Sequence, residues 1–178
     1  MPRLFIAIML PPTLEADLLE LLPDAASLRL ARPGQLHLTL QFLGPVCEDV
    51  SNSLQRRLAA VACSRFRMLI TGTGVFEQAA GSRGVLWAGV QLSEPLQRLY
   101  STVTAMVQAE ELLLEDRPWS PHFTLARYSG GPPEALPQFL QRGQRLHVEA
   151  DVTDFQLLES RPGPAGCVYE SRAVFPLS

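Results

Sequence analysis

The sequence predicts an α+β fold of two similar lobes facing a shared cleft, and two features of the chain predict it. The tetrapeptide His37-Leu38-Thr39-Leu40 returns as His122-Phe123-Thr124-Leu125 in a protein with only three histidines and three Thr-Leu pairs. Around each copy the hydrophobic periodicity alternates between strand-like and helix-like runs in a similar order, so the second copy takes the place in its half that the first takes in its own. At 178 residues the chain suits one domain over residues 1–178, with lobes of approximately 1–80 and 81–178.

The apolar, β-rich run 3–10 reads as a first strand. Thr13 stands where it can cap a helix whose Leu14, Leu18, Leu21 and Leu22 share a face until Pro23 ends it. After Pro33-Gly34, residues 36–43 alternate as a second strand closed by Gly44-Pro45. Val50, Leu54, Leu58 and Val61 stripe a second helix, and residues 66–76 make a third strand. The order restarts with a strand at Val85–Val90 and a helix capped by Ser93 whose Leu96, Leu99, Val103 and Met106 align. His122–Tyr128 is the next strand. A short Pro-rich helix near 133–142 and strands at 145–158 and 167–177 follow, the last two flanking the turn-forming Arg161-Pro162-Gly163-Pro164.

Composition narrows the chemistry. The net charge of −3 excludes a protein that coats nucleic acid through a broad basic surface, so any phosphate recognition is local. All fifteen basic residues are arginine, which removes lysine-dependent nucleotidyl transfer, Schiff bases and the P-loop lysine. Cys47, Cys63 and Cys167 are odd in number and far apart, as expected of reduced packing residues. The first apolar run is short and ends in Pro11-Pro12 without a small-residue cleavage site, so it reads as a buried strand. No run has the length of a membrane span. The expectation is a cytoplasmic monomer without membrane association.

Alternation puts His37 and Thr39 on one face of their strand, with Leu38 and Leu40 on the other, and the second copy repeats the pattern. An imidazole with a pKa near 6.5 exchanges a proton at neutral pH, and a threonine hydroxyl two positions along hydrogen-bonds an oxyanion. Two such half-sites facing each other supply the base and the acid for in-line displacement at one phosphorus, with a nearby arginine offsetting the charge that gathers there. No metal or cofactor is called for, and the histidines lie outside any zinc-binding spacing. His147 alternates on the polar side of Leu146, Val148, Ala150 and Val152 and reads as a surface residue.

At these residues the chain resembles the 2H phosphoesterase superfamily, defined by two His-x-Thr-x motifs, and in particular its LigT-like branch of bacterial RNA 2′,3′-cyclic phosphodiesterases. The likeness also takes in Arg3-Leu4-Phe5-Ile6-Ala7-Ile8, Gln41-Phe42-Leu43-Gly44, Val85-Leu86-Trp87-Ala88-Gly89-Val90, Pro121, Ala126-Arg127 and Phe175-Pro176-Leu177. It implies two antiparallel sheets around a central groove with helices on the outer faces, and metal-independent opening of a 2′,3′-cyclic phosphate to a 2′-phosphate. By the same resemblance His37 is the proton donor to the leaving 3′ oxygen, His122 is the acceptor that activates water, and Thr39, Thr124 and Arg127 bind the phosphate. Strict alternation sets Arg127 on the face opposite His122, so this last role requires a bulge or a strand end. Phe5, Phe42 and Trp119 are candidates either for stacking a base or for the core.

Three functions fit these features. The first is hydrolysis of cyclic-phosphate RNA ends or of a small cyclic nucleotide. The second is the reverse reaction, ATP-independent 2′-5′ RNA ligation. The third is a non-catalytic module that binds RNA ends, against which both intact motifs argue.

Overall fold

The computed structural model describes residues 1–78, 80–163 and 166–178. In chain order the elements are β1 (Arg3–Met9), α1 (Pro12–Leu19), β2 (Leu28–Leu30), β3 (His37–Pro45), α2 (Glu48–Leu58), β4 (Phe66–Gln78), β5 (Arg83–Val90), α3 (Glu94–Gln108), β6 (His122–Ser129), α4 (Leu136–Gly143), β7 (His147–Val152), β8 (Asp154–Gly163) and β9 (Gly166–Pro176). All strand pairings are antiparallel.

The two expected sheets are joined into one. Its strands run β7-β4-β5-β6-β3-β1-β8-β9, with β2 on β6. The junction of β3 and β6 is a single register pair, Leu38 opposite Phe123. The halves on either side are not the halves of the chain, so the division near residue 80 does not describe them. β4 pairs with β5 and β7 in the half that holds the second motif, while β8 and β9 return to β1 in the half that holds the first. Pairing of sheet strands, rather than sequence order, decides which segments share a lobe.

One face of the sheet carries the main core. Leu4, Ile6 and Ile8 of β1, Leu38 and Leu40 of β3, and Phe123 and Leu125 of β6 pack there against Leu18 of α1, Leu54 and Leu58 of α2, Leu96, Leu99 and Val103 of α3, and Phe139 of α4. The opposite face carries smaller apolar groups, Phe5, Ala7 and Leu158 with Met9 and Tyr169 beside them, and Phe76, Val85 and Trp87 farther along. That leaves the second face to form the groove.

Several local expectations change in the structure. Thr13 lies inside α1 and does not cap it; Pro11 takes the N-cap position and Pro12, with its φ already fixed, starts the helix. Ser93 does stand at the N-cap of α3, but its hydroxyl makes no capping bond and is buried without a partner among the described residues. Val107 is buried on α3 together with the expected Leu96, Leu99 and Val103, and Met106 is only partly covered. The segment 145–158 is two strands, β7 and β8, and Arg161, Pro162 and Gly163 extend β8 instead of turning; Pro164 lies outside the described residues. Cys47 and Cys167 are exposed rather than packed, and all three cysteines are free. His147 is exposed as the alternation requires.

Candidate active site

The Leu38–Phe123 pair sets the geometry of everything around it. These two residues occupy equivalent positions in the two motifs, and both are fully buried on the core face. One step along each antiparallel strand, His37 falls across from Thr124 and Thr39 across from His122, all four on the other face. Facing residues on paired strands have Cβ atoms about 5 Å apart and diagonal ones about 7–8 Å, so the two His-Thr units are neighbours across the strand junction. His37 and His122 lie close enough that a charge on His122 disfavours a charge on His37.

The two rings are held by the same bond. His37 Nδ1 donates to the Gln35 carbonyl at 2.7 Å, and His122 Nδ1 donates to the Ser120 carbonyl at 2.7 Å. A carbonyl only accepts, so the proton sits on Nδ1 and Nε2 is the nitrogen left for exchange with a ligand. The ring surroundings differ. His37 packs against Phe5 and Tyr169, with centroids 5.0 and 5.1 Å away. His122 packs against Phe76 and Trp87, at 5.0 and 6.2 Å. Burial pushes both imidazoles below their ordinary pKa; the carbonyl bonds act in the opposite direction, and Arg127 adds to the lowering of both.

Arg127 reaches this face through a bulge. Along β6 and β5 the register runs Thr124 opposite Trp87 and then Ala126 opposite Leu86, so Leu125 has no counterpart and the alternation resets. Val85 and Trp87 lie two apart on β5, hence on one face, and Arg127 opposite Val85 joins Thr124 and His122 there. β3 carries the same irregularity: Thr39 faces Ala7 and Gln41 faces Ile6, leaving Leu40 over. The bulge puts Phe42 where Arg127 stands in the other motif, so the groove has an arginine at one end and an exposed aromatic ring, with Arg3 above it at 5.7 Å, at the other.

The scaffolding behind the motifs was less visible in the sequence. Trp119 stacks on Tyr100, with centroids 3.9 Å apart and planes 7° apart, and its Nε1 donates to the Thr39 carbonyl at 2.9 Å. Trp119 and the buried Phe5 are therefore structural neighbours of the motifs. Glu15 is buried at 5% exposure, and its carboxylate accepts from the amides of Gly34 at 2.7 Å and Leu36 at 3.4 Å, on either side of the Gln35 carbonyl that holds His37. The Trp87 indole lies flat over Gly74, where a Cβ would come within 2.1 Å of the ring. Among the described residues no three His, Cys, Asp or Glu side chains gather as metal ligands.

A fold of this topology with two His-x-Thr strands meeting on one face defines a class. The family model of the 2′-5′ RNA ligase superfamily matches residues 11–164, and the chain belongs to that family, the 2H phosphoesterases of LigT type. An RNA 2′,3′-cyclic phosphodiesterase of Archaeoglobus fulgidus is 28% identical over 97% of this chain and 99% of its own length. One of Thermus thermophilus is 34% identical, covering 98% of this chain and 90% of its own. Among solved structures, TT0787 of Thermus thermophilus has a TM-score of 0.78 and 31% identity over 98% of this chain and 97% of that one. Apo LigT of E. coli has a TM-score of 0.77 at 23% identity over 99% and 98%, and so shares the fold.

Proposed function

We propose that this chain hydrolyses the 2′,3′-cyclic phosphate ends of RNA to 2′-phosphomonoesters, using its two histidines as base and acid and no metal. The observation that supports the proposal is the Leu38–Phe123 pairing, which brings the two His-x-Thr strands side by side with their histidines and threonines on one face. The names of the relatives at 28% and 34% identity support the substrate class.

In this reading His122 Nε2 takes a proton from water as its oxygen bonds to phosphorus. His37 Nε2 gives a proton to the 3′ oxygen as the P–O3′ bond breaks, leaving the phosphate on O2′. The base ends protonated and the acid neutral, and exchange with solvent restores both. Thr39 and Thr124 donate to the non-bridging oxygens, and Arg127 offsets the charge that builds on them. The anionic substrate raises the lowered imidazole pKa values on binding, which favours the protonated donor at the moment it is needed. The enzyme works as a monomer in the cytoplasm; among the described residues no helix is long and apolar enough to cross a membrane.

The test is to supply RNA with a 2′,3′-cyclic phosphate end in excess chelator and identify the product. A 2′-phosphate is expected. A 3′-phosphate would reverse the assignment of leaving group, and loss of activity on chelation would replace the mechanism with a metal-dependent one. The family's description as 2′-5′ RNA ligases favours one further reading, attack of a 5′-hydroxyl on the same cyclic phosphate. Without lysine that joining is ATP-independent, and its yield does not respond to added ATP.

A further inference from the structure

Resting on the proposed placement of the cyclic phosphate between the histidines, we infer that Arg29 and Arg83, on either side of Arg127, form a track for the phosphodiesters that lead to the RNA end. The chain is then built for a polynucleotide terminus and not for a cyclic mononucleotide.

The placement follows from register. Arg29 of β2 stands directly opposite Arg127 of β6, and on the other edge of β6 Val85 of β5 stands opposite Arg127, with Arg83 opposite Ser129. Opposed residues share a face, as do residues two apart on one regular strand, so all three guanidinium groups belong to the groove face. Two residues of strand advance about 7 Å. The arginines therefore mark two successive steps away from Thr124, a stagger that suits consecutive phosphates of a single strand.

Their charge supports the same use. Among the described residues six other arginines are matched with carboxylates, Arg57 with Glu110, Arg67 with Glu149 and Asp151, Arg98 with Glu94, Arg117 with Glu115, and Arg161 and Arg172 with Glu159, and those charges are already engaged. Among the described residues no carboxylate pairs with Arg83 or Arg127, and both are exposed. The backbone beneath is fixed: the amides of Gly130 and Gly131 donate to the Ser82 carbonyl at 2.9 and 3.1 Å, tying the start of β5 to the end of β6. Arg29 in turn lies against Gly166 at the start of β9, where a Cβ would come within 1.6 Å of its terminal nitrogen. At the other end of the groove the position equivalent to Arg127 holds Phe42, with Arg3 above its ring.

The experiment compares wild type with Arg83→Gln, Arg83→Lys and Arg29→Gln. Affinity for a short single-stranded RNA ending in a 2′-phosphate is read by fluorescence anisotropy across a salt series, next to a mononucleotide 2′-phosphate. Wild type is expected to bind the RNA more tightly, and each glutamine variant to weaken RNA binding several-fold and flatten the slope of log affinity on log salt by about 0.7, with Arg83→Lys restoring the slope. In turnover, the preference for a cyclic-ended oligonucleotide over a cyclic mononucleotide falls in the same variants. Equal affinity for RNA and mononucleotide in wild type, or unchanged salt slopes in the variants, overturns the track. Absence of turnover on either substrate with the salt slopes behaving as expected overturns the catalytic reading and leaves the track standing.

Discussion

Among the described residues Leu38 and Phe123 face each other across the one register pair that joins β3 to β6, and each is the second residue of its motif. Because the pair is antiparallel and equivalent, a local two-fold relation passes between the strands, and whatever the first motif presents to the groove the second presents from the other side. Their own side chains are fully buried. The same alternation that anchors these two in the core therefore turns His37, Thr39, His122 and Thr124 outward, coupling packing to the site.

The rate profile follows from the burial of the rings. Both imidazoles are lowered, chiefly by burial, then His37 by His122 and both by Arg127, so in the free enzyme both limbs of the bell in kcat/KM fall on the acid side of about 6.5. The limbs of kcat, which report the complex, lie at higher pH because the bound phosphate is anionic. Stability has the corresponding sign. Below about 6.5 the unfolded chain binds protons that the folded histidines refuse, so the folded state loses stability as pH falls from there toward the folded pKa values. Rate profiles and denaturant titrations over the same range check both statements.

Replacing Arg127 with glutamine separates a phosphate ligand from a surface charge. Its guanidinium lowers both histidines, so Arg127→Gln moves both limbs of kcat/KM to higher pH while the maximum rate constant falls by about 10²-fold. A variant with unmoved limbs and a normal rate places the side chain outside the site.

Glu15 is a positioning residue for His37. Removing its carboxylate leaves the buried amides of Gly34 and Leu36 without their acceptor and releases the Gln35 carbonyl between them. Glu15→Ala is expected to cost about 1–3 kcal/mol in chemical denaturation and to shift the limb of the pH profile assigned to His37. Glu15→Gln, which keeps an acceptor oxygen, recovers most of both.

Trp119→Phe keeps a ring to stack on Tyr100 but deletes the donor to the Thr39 carbonyl. The expected result is a loss of about 1 kcal/mol in stability and a several-fold fall in kcat with little change in KM for the cyclic phosphate. An equal fall for Trp119→Phe and Trp119→Ala would mean that stacking matters and the hydrogen bond does not.

The sequence carried the parts of this site that depend on periodicity and repetition. The alternation in residues 37–40 and 122–125 gave the buried and the reactive faces directly, and the long helical stripes at Leu54, Leu58, Leu96 and Leu99 gave the core. What it did not carry depends on pairing between distant strands. The bulge at Leu125 that brings Arg127 round leaves no mark in composition, since the residue is as apolar as its neighbours. β2 has three residues, too few to show a period, although it places Arg29 beside Arg127. Glu15 sits among leucines as any solvated glutamate does, and only the loop at Gly34–Leu36 explains its burial. Tyr169 and Phe76 reach His37 and His122 through β9 and β4, far from either motif in the chain. The lobe boundary failed for the same reason, because the last two strands return to the first half of the sheet.

The most direct measurement is the turnover of a cyclic-phosphate RNA by His37→Ala and by His122→Ala, each confirmed folded by thermal melting. General acid–base catalysis by one side chain is worth about 10²–10⁴-fold, and two rings acting on one phosphate fail together. Each single variant is therefore expected to lose at least about 10²-fold, with the double variant little worse than either. Near-normal turnover in one of them, or losses that simply multiply in the double variant, would contradict a phosphate shared between two imidazoles.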